Sequence, residues 1–158
     1  MTEDERWMES ALREAEQALK RKEVPVGAVV VRNRRIIGKG YNQIESLQDP
    51  TAHAEMIAIT AAATGLGSRQ LEECTMYVTL EPCAMCAGAI VLARVPRLVF
   101  GAFDPKAGAC GSLFNIVQDG RLNHRAELTG GILQERCGEL LSSFFTTLRG
   151  DGQRLGEG

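Results

Sequence analysis

A chain of 158 residues, 44% hydrophobic and 24% charged, has the balance of one globular domain able to bury roughly two-thirds of its unfolded surface. No apolar stretch approaches the ~20 residues that span a bilayer, and the polar, acidic start carries neither a signal-peptide core nor a myristoylation glycine, so the expectation is a cytoplasmic protein. A net charge of −2 excludes the uniformly basic surface typical of nucleic-acid binders, although basic residues gather locally at Lys20, Arg21 and Lys22, at Arg32, Arg34 and Arg35, at Arg94 and Arg97, and at Arg121 and Arg125.

Thr2 followed by Glu5 makes a capping box, and Trp7, Met8, Ala11, Leu12, Ala15, Ala18 and Leu19 recur at helical spacing, which predicts a first helix ending before Pro25. Val26 to Val31 and Ile36 to Tyr41 are short apolar runs separated by Arg32-Asn33-Arg34-Arg35, which predicts a hairpin. Asn42 to Ala52 is polar and reads as a loop. The alanine-rich stretch from Thr51 to Thr64 reads as a helix stopped by Gly65. Thr75 to Leu80 is a buried strand, Pro82 to Arg94 a helix, and Leu98 to Gly101 a short strand. Phe103 to Ser112, rich in Gly and Ala, is a functional loop. Ala126 to Ile132 predicts a fifth strand, and Leu133 to Leu148 a final helix bearing Leu140, Leu141, Phe144, Phe145 and Leu148. Residues 150–158 are polar and glycine-rich and read as a disordered tail. Strands alternating with helices imply helical layers on a mixed sheet, in a single domain over residues 1–149.

An odd count of five cysteines in such a chain argues against a disulfide framework. Cys74, Cys110 and Cys137 sit among apolar or small residues and read as buried small hydrophobes. Cys83 and Cys86 differ, because Pro82-Cys83-Ala84-Met85-Cys86 has metal-ligand spacing at a helix start. It follows His53-Ala54-Glu55 by 26 residues. One imidazole and two thiolates make three protein ligands for zinc and leave the fourth tetrahedral position to water, as catalytic zinc sites do. The helix start and the metal both favour thiolate over thiol. Zinc brings the pKa of water toward about 7, and a carboxylate two residues from the histidine, Glu55, is placed to shuttle protons. The joint pattern H-x-E…P-C-x-x-C is a signature of zinc nucleobase deaminases. Its parts are weaker: a C-x-x-C alone is also a redox pair, and a structural zinc site would recruit Cys74 or Cys110 as fourth ligand. Asn42, in the loop before the histidine, has an amide suited either to reading a base edge or to capping a turn.

Over nearly its whole length the sequence resembles the bacterial tRNA-specific adenosine deaminases of the cytidine-deaminase-like superfamily. The matching stretches include Val26 to Val31, Asp49 to Glu55, Tyr77 to Ala89, Val99 to Ala102, Gly111-Ser112-Leu113, Asn123-His124-Arg125 and Gly131-Ile132-Leu133. The resemblance implies a three-layer α/β/α fold with a five-stranded mixed sheet, cytidine-deaminase-like, assembled as a homodimer with one Zn²⁺ per subunit. It implies hydrolytic deamination of adenosine to inosine at the wobble position of a tRNA anticodon, that of arginine tRNA. His53, Cys83 and Cys86 fall on the metal ligands and Glu55 on the proton shuttle. Asn42 and Ala54 fall in the substrate-binding set, Asp104 and Lys106 in the RNA-contacting loop, and Phe145 and Arg149 in the C-terminal helix that shapes access. The competing expectations are a deaminase of a free base or nucleoside of the guanine or cytosine type, and a zinc-stabilised RNA-binding module without turnover.

Overall fold

The first helix starts where its capping residues dictate. The Thr2 hydroxyl accepts from the Glu5 amide at 3.1 Å, the Glu5 carboxylate accepts from the Thr2 amide at 3.3 Å, and α1 runs Glu3–Lys20. The computed structural model describes residues 1–156, the last six as helical backbone only. Strands β1 (Gly27–Arg32) and β2 (Arg35–Tyr41) form the expected hairpin. Its two-residue turn, Asn33-Arg34, holds both residues at positive φ, 51° and 60°, which matches the twist of the flanking strands.

The stretch read as a plain loop contains a short helix, α2 (Ile44–Leu47). Sequence periodicity has no purchase on four residues. What makes them a helix is tertiary: the buried Glu23 carboxylate accepts from the amides of Glu45 and Ser46 at 3.0 and 2.7 Å and from the Ser46 hydroxyl, satisfying the helix's first free N–H groups. Helix α3 (Ala54–Leu66) begins later than its composition suggests and passes through Gly65 to end at Gly67, which is left-handed at φ 70°. Strand β3 (Cys74–Leu80) leads to α4 (Ala84–Leu92), so Pro82 lies ahead of that helix. Strand β4 (Arg97–Ala102) and a three-residue β5 (Glu127–Thr129) follow. Helix α5 (Gln134–Gly156) is longer than its apolar pattern, so residues 150–156 of the expected tail fall within it. Propagating a helix already nucleated costs little per residue. The last two residues of the expected tail, 157 and 158, lie outside the described part.

The five strands form one mixed sheet in the order β2-β1-β3-β4-β5. Antiparallel pairing joins β2, β1 and β3, and parallel pairing joins β3, β4 and β5. The period-2 alternation of strand side chains builds two cores. Ala28, Val30, Met76, Val78, Leu98 and Phe100 face α3 and α4, while Val29, Val31, Tyr77 and Val99 face α1 and α5. The result is a three-layer α/β/α sandwich. At Gly38 and Gly40 a Cβ would overlap the backbone of α3 at Ala58, Ala62 and Ala54. Only glycine lets α3 sit this close to β2, and that seat sets the depth of its N-terminus.

Asp4 ties α1 to the sheet. Its carboxylate accepts from both terminal nitrogens of Arg97, at 2.8 and 2.7 Å, and from the Tyr77 hydroxyl at 2.9 Å. The Arg97 guanidinium holds the Asp4 carboxyl below its ordinary value, against the opposing effect of burial. A depressed carboxyl stabilises the fold above its unfolded pKa and loses that contribution as pH falls through the folded value. Asp4→Asn is therefore expected to cost about 1–3 kcal/mol near neutral pH, the scale of hydrogen bonds to charged groups. Urea unfolding of the two proteins should show that gap closing as pH falls below about 4; a constant gap would assign the effect to packing.

Candidate active site

Two helix starts build the site. His53 is the N-cap residue of α3, and Cys83 is the N-cap residue of α4, one position earlier than the first-turn placement its sequence suggests. Cys86 lies in the first turn of α4 and is fully buried. The His53 Nδ1 atom lies 3.6 Å from Cys83 Sγ and 3.5 Å from Cys86 Sγ, and the three ligand atoms are all within 4.8 Å of one another. A tetrahedral zinc with bonds of ~2.0–2.1 Å to nitrogen and ~2.3 Å to sulfur requires nitrogen–sulfur edges of about 3.6 Å. The donor set and its spacing therefore fit that ion. Among the described residues no other His, Cys, Asp or Glu joins the cluster, so neither Cys74 nor Cys110 supplies a fourth ligand. Both are buried free thiols, as is Cys137.

The electrostatics favour metal binding on this pair of sulfurs. The Cys86 thiol beside Cys83, helped by His53, holds Cys83 down to about 3, while the same pairing and burial push Cys86 far up. One proton is in effect shared between two sulfurs, and a cation between them would displace it. His53 is raised chiefly by its contact with Cys83.

Glu55 occupies the first turn of α3 and is 4% exposed. Burial pushes its carboxyl up to about 7, against the lowering influence of its own amide and of His53. A group balanced near neutrality can both take and return a proton. Asn42 is buried at the end of β2, and its Oδ1 accepts from the Ala54 amide at 2.8 Å. Since His53 makes no side-chain cap bond, Asn42 does that work for α3 across 12 residues of chain. The capping alternative for Asn42 is thus realised at a helix start, with the amide Nδ2 left as a donor. The same bond engages the Ala54 N–H, and the Ala54 side chain is fully buried.

The other expected residues meet elsewhere. Asp104, Lys106, Phe145 and Arg149 line one groove of about 740 Å³ between the loop after β4 and helix α5. Asp104 folds its loop locally, its Oδ1 accepting from the amides of Lys106 and Ala107. Phe145, 42% exposed, offers an aromatic face. Neither the three ligand residues nor Glu55 lines this groove; Leu80, at the end of β3, does, three residues before Cys83. The structure thus produces two adjoining features, a ligand cluster and an apolar groove with charged edges.

Sequence reasoning missed two buried glutamates that hold the loops flanking the site. Glu23 organises α2. Glu81, 2% exposed, accepts from the amides of Asp104, Cys110 and Ser112 and from the Ser112 hydroxyl. Their signal was available: each is a charged residue beside a Val or Leu and within two positions of a proline that abuts a buried strand, where a charge must find partners.

The sequence profile of the MafB19-like deaminases matches residues 2–149. A tRNA-specific adenosine deaminase of Bacillus subtilis (strain 168) is 53% identical over 149 residues, 94% of this chain and 92% of that protein. One from Aquifex aeolicus (strain VF5) is 49% identical over 145 residues, 92% of this chain and 95% of that protein. Among solved structures, one from a study of A-to-I editing by tRNA:A34 deaminases at the wobble position of transfer RNA is 43% identical. It covers 85% of this chain and 97% of its own, with a TM-score of 0.81. A guanine deaminase from Bacillus subtilis is 38% identical over 65% of this chain and 66% of its own, with a TM-score of 0.61.

Proposed function

Because this chain belongs to the MafB19-like deaminases and, among them, to the tRNA-specific adenosine deaminases, its reaction is hydrolytic conversion of adenosine to inosine in tRNA, and we propose that the target is the wobble nucleotide of an arginine tRNA anticodon. The observation that carries the chemistry is the three-atom cluster of His53, Cys83 and Cys86 with Glu55 buried two residues from the histidine. In this reading those three side chains hold one Zn²⁺ per subunit. When bound, zinc supplies the Lewis acidity that makes water nucleophilic near neutral pH.

Glu55 does the proton work. It takes a proton from the water as its oxygen bonds to C6 of adenine and gives that proton to ring nitrogen N1; it then takes the remaining proton from the C6 hydroxyl and gives it to the amine as the C6–N bond breaks and C6=O forms, so that water and adenosine become ammonia and inosine. Asn42 holds the base through Nδ2, and Ala54 takes part in substrate binding through the amide hydrogen bond that fixes the Asn42 side chain. An unpaired anticodon nucleotide suits so enclosed a site, since extruding it costs less than opening a duplex. Phe145 offers a stacking surface, and Lys106 and Arg149 offer charge for flanking phosphates in the groove beside Asp104.

The assembly is a homodimer in the cytoplasm, where its substrate is. The sequence of α4, Ala84 to Leu92, is apolar throughout; one side packs on the sheet through Ala87 and Ile90, and Leu92 on the other is 80% exposed. A helix hydrophobic all round wants a second partner. Among the described residues no helix is long and apolar enough to cross a membrane.

One assay tests the substrate. Zinc-loaded protein is incubated with an arginine tRNA anticodon stem-loop and, separately, with free adenosine, cytidine, cytosine and guanine. Inosine appearing in the RNA alone is the expected result, whereas turnover of a free base alone would assign the guanine-deaminase type of activity. Lys106→Ala is expected to weaken RNA binding and to lower the slope of log affinity against log salt by about one unit, as loss of one phosphate contact requires. An unchanged slope would return Lys106 to the solvated surface.

A further inference from the structure

Glu81 has no part in the proton chemistry, yet it is among the most completely satisfied side chains in the molecule. One carboxylate oxygen accepts from the Asp104 amide at 3.0 Å and from the Ser112 hydroxyl, the other from the amides of Cys110 and Ser112 at 3.1 and 2.9 Å. The donors come from both ends of the 104–112 segment, more than twenty residues away in sequence. Neighbouring backbone bonds complete the junction: the Glu81 amide donates to Ala102, and the Ala109 amide donates to Pro82, each at 2.8 Å. Gly108 lies directly on the carboxylate, where a Cβ would overlap it and the Asp104 carbonyl. Two residues further along the chain from Glu81 stands Cys83.

We propose that Glu81 is a positioning residue for the polynucleotide substrate, its carboxylate folding the 104–112 segment so that Asp104 and Lys106 face the groove at a fixed distance from the Cys83 helix start. This segment has no regular secondary structure of its own, so its shape comes from its anchors. Four donors converging on one buried carboxylate make an anchor with few alternatives, because no neutral group accepts four bonds in this arrangement. Glutamine at position 81 has nearly the same shape but puts an NH₂ group against at least one amide donor. Aspartate keeps the charge and loses reach.

The inference rests on the assignment of Asp104 and Lys106 to RNA contact. Zinc-loaded, full-length Glu81→Gln, Glu81→Asp, Ser112→Ala and Lys106→Ala are compared with the parent on an anticodon stem-loop. Glu81→Gln is expected to raise KM about tenfold, the scale of one lost charge-assisted hydrogen bond, with kcat changed less than about threefold. Zinc per chain is expected to be unchanged, and amide hydrogen exchange faster within residues 103–114 only. Ser112→Ala should shift KM and exchange in the same direction by less, and it carries the test if Glu81→Gln does not fold; Glu81→Asp should recover part of the loss. A normal KM in Glu81→Gln beside a raised KM in Lys106→Ala overturns the inference alone. Loss of zinc with a fall in kcat, or faster exchange through β3 and β4, overturns it too, by giving Glu81 to the metal segment or to general stability. A normal KM and salt slope in Lys106→Ala overturns the RNA assignment, and the inference falls with it.

Discussion

Glu55→Ala is expected to lower kcat on the anticodon stem-loop by at least about 10²–10⁴-fold, the range for a general acid–base residue, while zinc content stays at one per chain. The separation of these two readouts follows from the geometry. Glu55 stands on the same helix turn as His53 but is not a member of the three-atom ligand cluster, so its removal leaves the donor set intact. In the proposed mechanism one carboxylate serves water, ring nitrogen and leaving amine in turn, so no single step escapes the loss. KM should change little by comparison, because the side chain meets reacting atoms and not the flanking RNA. Single-turnover kinetics with metal analysis on the same sample checks both halves. Activity within tenfold of the parent would remove Glu55 from the shuttle role, and zinc loss would make it a ligand.

His53→Ala and Cys83→Ala are expected to abolish detectable turnover and to lose most of the metal. Each removes one of the three protein donors of the cluster, and among the described residues no fourth His, Cys, Asp or Glu joins it. The consequence for the remaining pair differs between the two. Without His53 the sulfurs still share a proton, since the Cys86 contact is the larger influence on Cys83. Without Cys83 a single sulfur donor, Cys86, is left beside the imidazole, so one anionic ligand remains where His53→Ala leaves two. Cys83→Ala should therefore bind zinc more weakly than His53→Ala, and competition with a chelator of known affinity measures the order. Full zinc occupancy in either variant would strike that residue from the ligand set.

Much of this arrangement was readable without coordinates. The capping box at Thr2 and Glu5, the hairpin around Asn33-Arg34, and the burial of the run from Thr75 to Leu80 are local signals: each depends on residues within a few positions of one another. Within each of the segments His53-Ala54-Glu55 and Pro82-Cys83-Ala84-Met85-Cys86 the signal is local too, although 26 residues separate them, since the donor types and the i, i+3 spacing of the cysteines limit what the residues can bind. Boundaries were less legible. Cys83 turns out to be a cap residue, and α3 starts at Ala54, because helix ends are set by whatever satisfies their free N–H groups. For α3 that partner is Asn42, twelve residues upstream, and for α2 it is Glu23, over twenty residues upstream.

Chemistry, then, was decided by the one-dimensional pattern: an imidazole, two thiols and a carboxyl in this order admit few reactions. That Asp104, Lys106, Phe145 and Arg149 line one groove was decided by the folded chain. Those side chains share no spacing rule, and the local signal at Glu81 and Glu23, a charge beside an apolar residue and near a proline, says that donors must be found but not which ones. They acquire meaning because burying a charge is costly unless donors converge on it, and convergence is a property of packed elements, not of neighbours in sequence. The depth at which Gly38 and Gly40 seat α3, and the carboxylates that fasten the flanking loops, are where tertiary structure turned a set of ligands into a site with a shape.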